Sequence, residues 1–392
     1  MVLFGAVGIV GLVYVITRLV SDLSIVHSPS LYPYLLLGVA LLTALGFEFV
    51  NGFHDTANAV ATVIYTHSLD PRVAVVWSGI WNFIGVLMSS GAVAFSIVAL
   101  LPAELILKAD PGTRFSMIFA LLVAAILWNL GTWYRGLPVS SSHTMIGSVL
   151  GVAIAYQLRN GHSTLSGIDW SQVVKVFKAL VFSPLIGFAM AFVLYLLFKW
   201  VLRDPRLFKA PEGANPPPFY IRVLLILTCT GVSYAHGSND GQKGMGLIML
   251  ILVGTVPTAY AVNTGILATS THSIPFWVKV AVALALGLGT MVGWKRIVIT
   301  VGEKIGKEHL TYAQGAAAEL TAMATILGAS SYGLPVSTTH VLSSGVAGTM
   351  TASGSGMRMT TIRNIAMAWF LTLPAAALLS GLLFVIFSKI ER

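Results

Sequence analysis

The chain has 392 residues, of which 56% are hydrophobic and only 9% are charged, and its mean hydropathy is +0.85. A soluble domain carries about 25% charged residues, so the composition excludes a soluble globular protein and indicates an integral membrane protein. The net charge of +9 does not indicate a nucleic-acid partner, because the basic residues are scattered at the ends of apolar runs, as in the cytoplasmic loops of membrane proteins.

Long uncharged runs follow one another along the chain. They cover residues 73–103, 115–134, 136–158, 179–198, 244–278, 320–357 and 364–388. Because about 20 apolar residues span the hydrocarbon core, we predict an all-α integral membrane protein surrounded by membrane lipid. It should have about ten to twelve membrane elements, some of them broken or re-entrant helices. Residues 1–30 are predicted to form an extra N-terminal helix or an uncleaved anchor.

A short basic segment divides the chain into two halves. Residues 199–222 carry five basic residues against two acidic ones, together with three consecutive prolines, Pro216–Pro218. Such a segment is typical of a linker, and its positive charge predicts a cytoplasmic location. We therefore predict a first transmembrane repeat over residues 31–198 and a second over residues 223–392.

Each half begins with a related acidic motif. The first reads Asn-Gly-Phe-His-Asp-Thr-Ala-Asn over residues 51–58, and the second reads His-Gly-Ser-Asn-Asp-Gly-Gln-Lys over residues 236–243. On a helix, five polar side chains of the first half fall within an arc of about 80°: Glu48, Asn51, Asp55, Asn58 and Thr62. Four of the five corresponding positions in the second half are also polar: Ser233, His236, Asp240 and Lys243. A narrow polar stripe on an apolar helix indicates a face that points into the bundle.

The two aspartates of these stripes need partners. An ionised carboxylate at the bilayer centre costs several kcal/mol unless it is paired, hydrated or bound to a cation. We therefore predict for Asp55 and Asp240 either a small cation held together with amide oxygens, or a structural role in a buried ion pair or a hydrogen-bonded cap. Neighbouring glycines are expected to let the helices unwind and expose carbonyls to such a cation: Gly52, Gly237, Gly241 and Gly244. Glu48 is interpreted as a proton carrier, a partner of Lys243 or an interfacial residue.

A hydroxyl-rich motif also occurs in both halves. It reads Gly-Leu-Pro-Val-Ser-Ser-Ser-His over residues 136–143 and Gly-Leu-Pro-Val-Ser-Thr-Thr-His over residues 333–340. Because proline is favoured in the first turn of a helix, each motif is predicted to begin a helix whose free N–H groups and hydroxyls bind phosphate or sulfate. The predicted anion-binding residues are Ser140, Ser141, Ser142, His143, Thr144, Ser337, Thr338, Thr339 and His340. The two histidines either donate a hydrogen bond, accept a proton or serve packing.

The order of the motifs is the same in both halves: an acidic motif, a long apolar run, then a hydroxyl motif. Such a duplication is typical of transporters built from two repeats, often inverted, whose substrate binds near the membrane midplane where the repeats meet. We therefore expect the four motifs to converge on one site.

These motifs resemble the inorganic phosphate transporter (PiT) family, in particular its bacterial low-affinity phosphate permeases. The resemblance rests on residues 52–62, residues 237–244 and the two Pro-Val-Ser motifs, and it extends from about Leu31 to the C-terminus. It implies a secondary symporter rather than an enzyme, with an inverted repeat and a homodimeric assembly in the cell inner membrane. It also implies inorganic phosphate as the transported partner, protons or Na⁺ as the driving ions, and no resident cofactor. A cation and phosphate region is implied at Asp55, Asn58, Asn239 and Asp240, with residues 140–143 and 337–340 holding phosphate.

Two positions depart from the sodium-coupled members of that family, which often carry Gly-Ala-Asn-Asp in both halves and an asparagine three residues later. Here His54 stands in the first copy, and Lys243 replaces the asparagine of the second. Because an ammonium group at Lys243 would compete with Na⁺, we predict coupling to protons. Phosphate then enters alone or as a neutral complex with Mg²⁺ or another divalent metal. The predicted coupling residues are Asp55, Asn58, Asp240, Glu48, Asn51, His54, His236 and Lys243.

Other functions stay open on the sequence alone. A sodium-coupled phosphate symporter or a permease for sulfate or another oxyanion uses the same kind of hydroxyl-lined site, and an anion channel belongs to a different class. A membrane enzyme is disfavoured, because Ser142 and His143 are neighbours on a predicted helix and point about 100° apart.

Overall fold

A computed structural model of the protein describes residues 2–24, 31–55, 57–100, 110–160, 168–211, 213, 215–255, 260 and 274–390. These residues form α-helices and no β-strand. In the first half the helices are α1 (Val2–Leu23), α2 (Tyr32–Asp55), α3 (Ala57–Tyr65), α4 (Pro71–Met88), α5 (Ala92–Val98), α6 (Pro111–Tyr134), α7 (Ser141–Arg159) and α8 (Trp170–Val201). In the second half they are α9 (Phe219–Thr255), α10 (Phe276–Thr290), α11 (Lys295–Ile299), α12 (Tyr312–Ser331), α13 (Thr338–Ser353) and α14 (Met359–Ile390).

Most of these helices are long and apolar enough to cross a membrane. Within the described residues, seven candidate spans pass this test, with α2 and α3 counted together, and the pair α10 and α11, bent by 58°, makes an eighth. The chain is therefore a multi-pass membrane protein. Helices α7 and α13 are buried along almost their whole length and are not among these candidates, so the number of ten to twelve membrane elements stays a prediction.

Helices of each half pack against helices of the other half. Helix α8 of the first half packs along α13 of the second, and α14 of the second half packs along α7 of the first. In the same way α4 packs against α9, and α10 packs against α2. Each half therefore covers the hydroxyl-motif helix of the other, so the site inside depends on contacts between distant parts of the chain.

Glycines make these crossings close. A Cβ on Gly147 or Gly151 of α7 would collide with backbone carbonyls of α14, and a Cβ on Gly348 of α13 would collide with a carbonyl of α8. Membrane helices use small residues in this way, because close backbone approach replaces the hydrophobic driving force that lipid removes.

The glycines of the acidic motifs serve packing as well. Helix α9 runs without interruption through its acidic motif, so the predicted unwinding at Gly237, Gly241 and Gly244 is wrong. A Cβ at these positions would meet α4 or the side chain of Glu48, and one at Gly52 would meet the backbone of α10. In the first motif α2 extends to Asp55 and α3 starts at Ala57, and the residue between them lies outside the described residues, so the expectation for Gly52 stays a prediction.

The connection between the halves is shorter than the predicted linker, because α8 continues to Val201 and α9 already begins at Phe219. Its described residues include a 3₁₀ turn, Pro205–Phe208, capped by Asp204. Its cytoplasmic location and the repeat boundaries stay predictions. At the other end of the chain, α1 packs against α10.

The α7–α14 crossing can be tested with Gly151→Ala. Its added methyl group would meet the backbone of Ala377 and the hydroxyl of Ser380, so the variant should lose about 1–3 kcal/mol of stability and melt at a lower temperature in detergent. Gly131→Ala on α6 is the matched control, because no atom lies within 4 Å of the added Cβ and alanine has the higher helix propensity. Equal melting temperatures of the two variants would contradict the packing argument.

Candidate functional site

The hydroxyl motifs begin helices, as predicted. Ser140 is the N-cap of α7 and its Oγ accepts a hydrogen bond from the backbone N–H of His143 at 3.1 Å. Ser337 caps α13 through the N–H of His340, also at 3.1 Å. The prolines lie two residues before each cap and not in the first turn, so that detail of the prediction is wrong. The residues that follow each cap are buried inside the bundle.

Both hydroxyl motifs meet at Asp55. Ser141 donates a hydrogen bond to its Oδ2 at 2.8 Å, and Thr339 donates to its Oδ1. The amide of Asn58, one turn along, also donates to Oδ1 at 3.3 Å. All four side chains are almost completely buried. One carboxylate therefore holds together the first acidic motif and the helix starts of the two halves.

The second acidic motif carries its own cation. Nζ of Lys243 lies 2.7 Å from Oδ1 of Asp240, donates a hydrogen bond to Oγ of Ser142 and reaches the carbonyl of Val336 at 3.4 Å. Both charged side chains are fully buried. Of the alternatives left open for Asp240, the structure has the ion pair.

Corresponding residues of the two halves make corresponding contacts. Asn58 of the first half donates to Thr339 of the second at 2.9 Å, just as Lys243 of the second half donates to Ser142 of the first. The rings of His143 and His340 lie against each other, with their centroids 4.6 Å apart. Equivalent residues touch each other only near a twofold axis, so these histidines mark the pseudo-twofold axis of the site.

The residues before the two aspartates follow the same symmetry. Nε2 of His54 lies 3.4 Å from Oγ1 of Thr132 near the end of α6, and Asn239 donates to Ser330 near the end of α12 at 2.8 Å. Asn239 also donates to the carbonyl of Leu334 at 3.3 Å. Each acidic motif is therefore tied to the helix that leads into the hydroxyl motif of its own half.

His236 lies between the two aspartates. Its Nε2 is 3.4 Å from Oδ2 of Asp240 and 3.8 Å from Oδ2 of Asp55. Its Nδ1 is 2.7 Å from Oδ1 of Asn82 on α4, which orients the ring. One potential ligand atom from each of Asp55, His236 and Asp240 lies within 4.8 Å of the other two, so a proton or a metal ion could bind between them.

Glu48 is fully buried inside the helix bundle, beside Gly244. Its Oε2 accepts from the amide of Asn51 at 3.5 Å, while Lys243 forms its ion pair with Asp240, so of the alternatives for Glu48 the structure does not have the ion pair with Lys243. Thr144 donates to the carbonyl of Ser140 on its own helix at 3.0 Å. Thr338 is buried in the first turn of α13.

Sequence reasoning missed several residues around this site. Asn82 and Thr132 are single polar residues between apolar neighbours in uncharged runs, and that isolation is the signal that could have found them, whereas Ser330 is followed by Ser331 and carries no such signal. Trp369 of α14 stacks on His340 with ring centroids 3.8 Å apart and donates to the carbonyl of Pro138 at 2.9 Å. Glu319 of α12 is a further fully buried carboxylate and accepts a hydrogen bond from Thr228.

The contacts of Ser142 do not form a nucleophile with its base. Its hydroxyl donates to the carbonyl of Val336 at 2.8 Å and accepts from Lys243, while the ring of His143 packs on His340. The site instead combines buried carboxylates, an ammonium group, hydroxyls and two helix N-termini. Such groups can bind a cation and an oxyanion.

Known proteins resemble the chain over most of its length. The low-affinity inorganic phosphate transporter PitB of Escherichia coli (strain K12) is 36% identical over 90% of this chain and 96% of its own. The low-affinity inorganic phosphate transporter of Buchnera aphidicola subsp. Acyrthosiphon pisum (strain APS) is 38% identical over 89% of this chain and 96% of its own. The probable low-affinity inorganic phosphate transporter of Bacillus subtilis (strain 168) is 38% identical over 89% of this chain and 96% of its own. All three are named as transporters and not as enzymes.

A solved structure described as the sodium-dependent phosphate transporter has the same fold, with a TM-score of 0.74 and 23% identity over 91% of this chain and 99% of that chain. This likeness confirms the predicted fold class, an all-α membrane protein of two repeats with broken helices. A family profile described as the phosphate transporter family matches residues 51–380. With these matches, the chain belongs to the phosphate transporter family.

Proposed function

We propose that the protein is a secondary symporter that imports inorganic phosphate together with protons across the cell inner membrane. The observation that carries proton coupling is the ion pair of Lys243 with Asp240 at 2.7 Å. Lys243 therefore places an ammonium group at the position in the second half that corresponds to the amide of Asn58 in the first. The names of the relatives support phosphate as the substrate, and the helix starts that meet at Asp55 support an oxyanion.

The contacts of Asp55 suggest how a proton and phosphate are coupled. Ser141 and Thr339 donate to its carboxylate, and hydrogen bonds to an ionised acceptor are roughly twice as strong as neutral ones. A proton on Asp55 weakens both bonds, and the two hydroxyls then become available to phosphate. Because such coupling is reciprocal, bound phosphate in turn favours the protonated carboxylate.

Lys243 and the histidines adjust the charge of the site. Of the three charged groups Asp55, Asp240 and Lys243, two carboxylates and one ammonium leave one negative charge without compensation. A proton shared among Asp55, His54 and His236 removes that charge, so that the site is neutral before phosphate binds. Charge compensation lowers the cost of moving the loaded site through the membrane.

A divalent metal is proposed as cargo that accompanies phosphate. The donor set of Asp55, His236 and Asp240 combines an imidazole nitrogen with carboxylates, which suits Mn²⁺ or Zn²⁺ better than Mg²⁺ with its preference for oxygen ligands. Asn82 holds Nδ1 of His236, which leaves Nε2 for either a proton or the metal. We also propose a homodimer with the linker between the halves in the cytoplasm.

Uptake of labelled phosphate into proteoliposomes with separately imposed gradients tests the coupling. An acidic exterior should raise uptake, because each phosphate enters with a proton, and replacing external Na⁺ by choline should leave uptake unchanged. Unlabelled phosphate should compete, whereas sulfate should not, since it offers no protonated oxygen near neutral pH. A strict sodium requirement without any effect of pH would overturn proton coupling.

The two site aspartates can be tested with Asp55→Asn and Asp240→Asn. Both variants keep the size of the side chain but lose its charge, so uptake driven by a pH gradient should fall to the level of protein-free liposomes while the protein is still inserted. Asp169→Asn is the matched control: this exposed residue caps α8, and asparagine is an equally good cap. Retained transport in both site variants would contradict the assignment.

Lys243→Asn tests whether the ammonium group of Lys243 excludes Na⁺ from the site. The variant gives the second half the amide that Asn58 provides in the first, and it frees Asp240 from its ammonium partner. We expect it to show phosphate uptake that Na⁺ stimulates relative to choline, with a weaker response to pH. The wild-type protein in the same vesicles is the reference, and an inserted variant that transports without any response to Na⁺ would show that Lys243 does not determine the coupling ion.

A further inference from the structure

A cavity of about 520 Å³ lies between α8 of the first half and α12 of the second. Its wall on α8 includes Phe182, Ile186 and Met190, and its wall on α12 includes Ala324 and Gly328. Asp55 and Asp240 are not among the residues that line it. Because α8 is a candidate membrane span, a cavity on its flank opens towards lipid.

The cavity is an apolar groove along the helices. Phe182, Ile186 and Met190 are 54%, 46% and 44% exposed, although each is hydrophobic. From Lys178 to Met190 the wall extends about 18 Å along the axis of α8 at 1.5 Å per residue. That length exceeds half of the roughly 30 Å hydrocarbon core, so the groove is long enough for one acyl chain of a single leaflet.

One end of the groove is positively charged. Lys175 and Lys178 both line it and lie one turn apart on the same face of α8. Within the described part of the chain neither lysine forms an ion pair with a carboxylate. Asp169, the nearest acidic residue in sequence, instead accepts hydrogen bonds from the N–H groups of Ser171 and Gln172.

Aromatic residues indicate that this end lies at the membrane interface. Trp170 at the start of α8 is 45% exposed, and Tyr332 just after α12 is 79% exposed. Tryptophan and tyrosine are enriched at the level of the lipid headgroups, and lysines near helix ends extend to the same level. The two cations therefore lie where a lipid phosphate is found, and the apolar wall continues from them towards the membrane centre.

We propose that this groove binds an anionic phospholipid, with its phosphate between Lys175 and Lys178 and one acyl chain between α8 and α12. Free phosphate would find few further polar partners along the apolar wall. A second copy of this chain is disfavoured as the occupant, because a protein with 23 basic against 14 acidic residues has little negative charge to offer the lysines. The binding does not depend on the proposed transport activity.

The groove also connects the lipid with the buried site. Its inner wall includes Leu334 and Val336. The carbonyl of Val336 accepts from Ser142 and Lys243, and that of Leu334 accepts from Asn239. An acyl chain packed there supports the segment that leads into α13 and contacts both halves. Transport by the proposed carrier should therefore depend on anionic lipid.

Native mass spectrometry of the full chain in detergent tests the binding, with phosphatidylglycerol and phosphatidylcholine as probes. The wild-type protein should retain phosphatidylglycerol preferentially. The double variant Lys175→Gln and Lys178→Gln should bind it roughly thirtyfold more weakly and lose the preference. Lys199→Gln with Arg203→Gln, which removes two charges at the opposite end of α8, is the matched control and should keep it. An unchanged preference in the first variant, or an equal loss in both, overturns the site.

Gly328→Leu tests the acyl-chain part independently. No atom lies within 4 Å of a Cβ at this position, so the variant should fold with an unchanged melting temperature while its side chain fills the groove. It should retain one phospholipid fewer, and inorganic phosphate should not displace the lipid from the wild-type protein. If the variant instead converts a dimer into monomers without loss of lipid, the groove is an interface between copies and the proposal is wrong. Displacement by inorganic phosphate would likewise contradict it.

Discussion

The buried carboxylate of Asp55 is the constraint on which the rest of the site depends. A charge removed from water inside a membrane protein is tolerated only with hydrogen bonds or a counterion around it. Asp55 receives its donors from three separate segments: its own motif and the starts of α7 and α13. The need to satisfy one carboxylate thus brings the two halves together at the place where a transported anion would find the same donors.

The packing of helices of each half against the other half holds this arrangement in place. Since α8 covers α13 and α14 covers α7, each helix start is supported by the opposite half. Trp369 on α14 links them further, because it stacks on His340 of one hydroxyl motif and donates to Pro138 of the other. The close glycine crossings leave little room for a helix to slide alone, which favours movement of packed groups of helices over local rearrangement.

Duplication made the site predictable in outline from the sequence. The polar stripe around Asp55 and the paired hydroxyl motifs follow from local periodicity, and both are buried together as expected. The partners within the site did not follow, because they join distant segments: nothing local to Thr339 indicates a bond to Asp55, and nothing local to Asn82 indicates that it orients His236. The glycines near Asp240 were misread for a similar reason. A glycine that permits unwinding and one that permits a close crossing look alike until the neighbouring helix is known.

The difference between the two halves matters as much as their likeness. A pseudo-twofold site with the same residues on both sides would offer two similar cation positions. Here Asn58 and Lys243 make the same contact across the halves, with Thr339 and Ser142 respectively, yet only the second carries a charge. Because Nζ is covalently attached, its charge at Asp240 stays through the proposed cycle, while the cation at Asp55 must arrive and leave. In the proposed cycle the permanent positive charge offsets the carboxylate of Asp240, and the loading of the anion depends on the exchangeable proton at Asp55.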